Sequence, residues 1–82
     1  MLAFPFMLKP AAEKAGIDVP PDVENFNKRK YPHWSVFVAL QLGCSMCPGE
    51  HFNNAKVIAL FSKKEIKRAT LKDIINRGYK AC

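Results

Sequence analysis

The sequence predicts a small, mainly α-helical domain of about four or five short helices, and three observations carry that prediction. Six prolines and four glycines divide the chain into short segments, bounded by residues that start or stop helices. Ser62 with Glu65, and Thr70 with Asp73, each fit the Ser/Thr-x-x-acid pattern that opens a helix. Acidic residues gather at expected helix starts and basic ones at helix ends, as the helix dipole favours. The alternative is an α+β domain with residues 34–42, and also 57–61, as strands. With 82 residues, 49% apolar and 24% charged, the chain reads as one globular domain, 1–82, with no repeat or linker to divide it. Surface scaling for its mass gives roughly 5,000 Å² exposed when folded against roughly 13,500 Å² unfolded, a small core with a thin stability margin.

The apolar start, residues 1–9, lacks the basic segment of a secretory signal, is interrupted by Pro5 and runs into Lys9-Pro10. It reads as an arm able to dock on a partner and not as a leader. Pro10 is placed to open a helix over residues 11–15 and Gly16 to close it. A second helix is expected over residues 21–30, with Asp22 and Glu24 in its first turn, Lys28, Arg29 and Lys30 in its last, and Val23 and Phe26 as its apolar edge. Tyr31-Pro32 ends it, because the residue before proline is pushed out of the helical region.

Two periodicities compete in residues 34–42. As a strand, Trp34, Val36, Val38, Leu40 and Leu42 alternate with the residues between them. As a helix, Trp34, Phe37, Val38 and Leu42 share a face while Val36 and Leu40 fall on the other, which requires burial nearly all round. Both readings stay open. Residues 48–61 fit a helix begun near Pro48, with Glu50 in its first turn and Phe52, Ala55 and Ala59 on one side. The two capping patterns then split the C-terminal part into helices over about 63–69 and 71–77, the second ended by Gly78, because one straight helix would divide its apolar residues between two faces. Ile66 in the first, and Leu71, Ile74 and Ile75 in the second, are the expected core contacts.

The formal charge is +6, and it is unevenly placed. Residues 1–27 are slightly acidic, Lys28, Arg29 and Lys30 form a basic triplet, and from Lys56 onward eight basic residues face only Glu65 and Asp73. Such a stretch attracts polyanions: RNA, DNA or an acidic protein surface. The triplet stands beside Tyr31, His33 and Trp34, a mixture of cations and rings suited to phosphates and bases. The last two helices also offer a helix-turn-helix arrangement, with Lys72, Asn76, Arg77 and Lys80 turned to a groove, although their junction at Ala69-Thr70 is shorter than the usual turn.

Cys44-Ser45-Met46-Cys47 is the one local motif with chemistry of its own. Two thiolates at this spacing chelate half of a tetrahedral zinc, with His51 nearby and Cys82 or His33 left to complete the set. At a helix start the same pair suits thiol–disulfide exchange. A strand, CxxC and proline-opened helix in that order resembles thioredoxin-like proteins over about 20 residues, though no later proline stands where that fold places its cis-proline. Packing as small apolar side chains is the third use. Three cysteines are too few for a disulfide framework. The longest apolar run is half a bilayer span. No Ser-His-Asp set, phosphate loop, paired-carboxylate site or HExxH motif is present in the sequence.

These features lead to an intracellular, non-secreted, non-enzymatic binding protein without a cofactor. Its expected contacts to nucleic acid or a ribonucleoprotein are Lys28, Arg29, Lys30, Lys63, Lys64, Lys67, Arg68, Lys72, Arg77 and Lys80. The alternatives are a structural accessory subunit of a multiprotein assembly, cytoplasmic or organellar, and a thiol-redox or zinc protein using Cys44, Cys47, His51 and Cys82.

Overall fold

Five helices form among the residues that the computed structural model describes, 4–42 and 48–80: α1 (Phe4–Ala15), α2 (Pro32–Gln41), α3 (Pro48–Ala59), α4 (Lys63–Arg68) and α5 (Leu71–Asn76). The mainly α class holds. No strand occurs among the described residues, which overturns the alternative for 34–42 and for 57–61, where α3 runs into a turn.

α1 starts before the proline expected to open it, and Pro10 lies in its interior. That ring cannot donate to the carbonyl of Phe6, a loss that a helix interior normally resists. Pro10 is exposed, while Leu8 and Ala12 are fully buried and Ala15 partly so, an i, i+4, i+7 stripe laid chiefly against α3. Tertiary burial of that stripe overrides the local preference. Gly16, with φ +92°, closes the helix as expected. Its N–H reaches the Glu13 carbonyl at 3.2 Å and that of Ile17 the Ala12 carbonyl at 2.9 Å, a Schellman closure with Ile17 turned into the core.

The helix expected over residues 21–30 does not form. Asp22 Oδ1 accepts from the N–H groups of Glu24 and Asn25 at 3.1 and 3.0 Å, and Asn27 Oδ1 from Arg29 N–H at 2.9 Å. Short polar side chains here take the amides that a helix would have used, and only Val23 is fully enclosed to repay helix formation. Lys28, Arg29 and Lys30 therefore sit exposed in and beside a turn before α2.

α2 opens with Pro32 in its first turn and buries Pro32, Trp34, Phe37 and Gln41. Val36, Val38 and Leu40 are partly buried against the core, so the helix is enclosed over most of its circumference. That enclosure is what blurs its sequence periodicity. In α3 the buried line is His51, Asn54, Ala55 and Ile58, with Phe52 and Ala59 only partly covered. Asn54 Nδ2 donates to the Lys80 carbonyl at 3.0 Å and its Oδ1 accepts from Lys80 N–H at 2.9 Å. One buried amide thus pins the segment after α5 onto α3. Total exposed surface is 5,371 Å² and the radius of gyration 11.5 Å, close to what the mass requires.

Candidate functional site

The basic residues of the C-terminal part are organised by two capping boxes. Ser62 Oγ accepts from Glu65 N–H at 3.1 Å while Glu65 Oε1 accepts from Ser62 N–H at 3.0 Å. Thr70 and Asp73 repeat the exchange at 3.2 and 3.0 Å. Both helices start where the sequence predicts, and the hydrogen bonds hold both carboxyls below their ordinary values: the Ser62 N–H first and then the Arg77 guanidinium for Glu65, the Thr70 N–H and hydroxyl for Asp73.

Glu65 has a second task. Its Oε2 accepts from Arg77 Nη2 at 3.0 Å, and the Arg77 guanidinium lies 4.2 Å from the centroid of the Phe61 ring. Arg77 is therefore folded back between Glu65 of α4 and the Phe61 ring. This removes it from the outward groove-reading position of a helix-turn-helix. Gly78, at φ +116°, then closes α5 with a second Schellman pair, Gly78 N–H to Ile75 and Tyr79 N–H to Ile74 at 2.9 and 3.2 Å. Tyr79 is buried, and burial pushes its hydroxyl well above its ordinary value.

α4 turns one side chain, Ile66, into the core. At about 100° per residue, Lys63, Lys67, Lys64 and Arg68 occupy an arc from about 60° to about 200° away from it. All four are exposed. Lys64 and Arg68 also line an open cleft of about 760 Å³ between α4 and α5, with Asn76 and Arg77 on its far side and Phe61 behind. Glu65 and Asp73 line it too, but both are held by their caps and Glu65 by Arg77.

α5 corrects a sequence expectation. Ile74 alone is buried there, whereas Leu71 is 48% and Ile75 42% exposed. A six-residue helix capped at both ends has too short an inner face for three aliphatic side chains. Lys72 is exposed beside them, and Lys80 is turned to Glu50 at 3.6 Å.

Three residues beyond the triplet, His33 links α2 to the chain before α4. Its Nε2 donates to the Phe61 carbonyl at 2.8 Å, joining the start of α2 to the chain just before α4. His33 is thus a structural tie. Phe61 and Asn54 were not legible, because each acts through a partner distant in sequence, and His33, expected beside phosphates and bases or as a zinc ligand, is bonded to the Phe61 carbonyl. His51 lies in the buried line of α3, whereas Cys44, Cys47 and Cys82 fall outside the described residues, and no group of three or more metal-ligating side chains occurs among those described. Among the described residues no helix is long and apolar enough to cross a membrane. Comparison of the chain with known protein families, curated proteins and solved structures returns no match.

Proposed function

We propose that this is a non-enzymatic, intracellular binding protein whose α4–α5 unit grips the phosphate backbone of nucleic acid, alone or within a ribonucleoprotein. The observation that carries the reading is the division of labour on α4: Ile66 alone turns inward, four cations turn outward, and the one acid, Glu65, is held by Ser62 and Arg77. Lys72 is a further exposed cation on α5, and Lys28, Arg29 and Lys30 are exposed in and beside the turn before α2, whose His33 is tied to the chain before α4. Phosphate oxygens reward such a surface without a shaped catalytic pocket, and the reading requires no cofactor.

The test is a fluorescence-anisotropy titration against labelled single-stranded RNA. If the four α4 cations each neutralise a phosphate, affinity falls about fiftyfold between 50 and 200 mM salt. Lys64→Glu/Arg68→Glu should abolish binding at both concentrations while circular dichroism stays unchanged. Absence of binding by the parent chain at 50 mM salt would sink the proposal.

A second reading, an accessory subunit in a protein assembly, is favoured by Leu71 and Ile75, one helical turn apart and nearly half exposed. Its signature is binding to an apolar protein face that a Leu71→Ser/Ile75→Ser variant loses and RNA does not displace. The thiol or zinc reading of Cys44 and Cys47 is tested separately by native mass spectrometry, as bound zinc or a two-dalton loss on oxidation.

A further inference from the structure

A second concavity, of about 520 Å³, lies between α1 and the first turns of α3, and nothing in the polyanion reading uses it. Its α1 wall is Met7, Pro10, Ala11 and Lys14, at i, i+3, i+4 and i+7 along one face. Three apolar residues thus lead to one ammonium group, over about 10 Å of helix axis. The α3 wall contributes Gly49, His51 and Phe52.

One cation, Lys14, lines the groove, and a second, Lys56, shares its aromatic neighbour Phe52. The Lys14 ammonium stands 4.8 Å from the centroid of the Phe52 ring, and the Lys56 ammonium, one turn along α3, stands 4.8 Å from the same centroid. Two like charges are held within about one Debye length at 0.1 M salt. No carboxylate pairs with either among the ion pairs of the described residues; Lys9 takes Glu13 and Lys80 takes Glu50. His51 is only 8% exposed, and its Nε2 is buried without a hydrogen-bond partner among the described residues.

We infer that this groove binds a single-chain aliphatic monocarboxylate, with the chain along Met7, Pro10 and Ala11 and the carboxylate at Lys14 beside Phe52. Charge complementarity selects an anion, and the apolar wall selects a chain over a bare ion. The volume lies within the range of small-molecule sites. This inference stands apart from the α4–α5 proposal, and either can fail alone.

The experiment is calorimetric titration of the intact chain with hexanoate, octanoate and decanoate below their micelle concentrations, and with decanol. Affinity should rise about fourfold per methylene, and decanoate should bind about tenfold more tightly than decanol, the size of a charge-assisted hydrogen bond. Lys14→Gln should remove that tenfold preference and leave decanol binding unchanged. Gly49→Leu should weaken both ligands: a Cβ there meets nothing within 4 Å, so the longer side chain fills the groove without disturbing the fold. Lys64→Glu/Arg68→Glu, on the other site, should change nothing. The inference is overturned if decanol equals decanoate, if the α4 variant weakens decanoate as much as Lys14→Gln does, or if anionic phospholipid vesicles bind the chain and decanoate does not compete. Concentration-dependent dimerisation lost on Met7→Asp would give the groove to a second copy and overturn it as well.

Discussion

Gln41 and Asn54 are both fully buried amides, and they do opposite things. Asn54 is satisfied by two hydrogen bonds to Lys80, whereas Gln41 has no partner for either Oε1 or Nε2 among the described residues. A buried polar group without a partner costs about 1–3 kcal/mol, so Gln41→Met, which keeps the volume and the helix propensity, should raise the free energy of unfolding by about 1–2 kcal/mol, read as a higher urea midpoint. An equal or lower midpoint would show that the amide is satisfied in solution. Asn54→Ala should act the other way, losing about 1–2 kcal/mol by removing two bonds to the part-buried backbone of Lys80. Hydrogen exchange separates this from general destabilisation: the Lys80 amide should lose protection first, ahead of amides in α1.

At the scale of elements, local signals were readable and long-range ones were not. The capping boxes at Ser62 and Thr70 and the Schellman glycines at positions 16 and 78 sit where the sequence places them, because each is decided by atoms within a few residues. Residues 21–30 failed because the dipole argument weighed charges and left out the competing side-chain oxygens of Asp22 and Asn27. α2 stayed ambiguous because a helix buried nearly all round has little periodicity to read, and Pro10 misled because propensity yields to the burial of Leu8 and Ala12. The acidic caps also set a pH dependence. Glu65 and Asp73 have folded-state values depressed below their unfolded ones. Their stabilisation is therefore complete above the ordinary carboxylate range of about 4 and is lost as the pH falls through it toward the depressed values. Urea midpoints measured down from pH 7 should hold to about pH 5 and then drop, and Glu65→Gln/Asp73→Asn should flatten that drop. A drop of equal size in the double variant would place the acid sensitivity elsewhere.

At the scale of the whole molecule, the same cations act on stability and on binding with opposite sign. The location of the charge was legible from residue counting. What could not be read was its pairing: Arg77 folds onto Glu65 and Phe61, Lys80 meets Glu50, and Lys14 and Lys56 converge on Phe52 only because α1 packs on α3. With a formal charge of +6 and four outward cations on one short helix, self-repulsion opposes folding at low ionic strength. Screening over about one Debye length relieves it, so the melting temperature of the chain alone should rise as salt increases from about 20 to about 300 mM. A bound polyanion replaces that repulsion with attraction. Poly(U) at a hundred times its dissociation constant adds about 2.7 kcal/mol at low salt, which for a domain this size is upward of about 10 °C. Salt then removes the ligand's contribution faster than it relieves repulsion, so the melting temperature with poly(U) should fall over the same range until the two curves meet. Parallel curves would mean that poly(U) does not bind the folded chain. Curves that meet as expected in Lys64→Glu/Arg68→Glu as well would move the binding surface off α4.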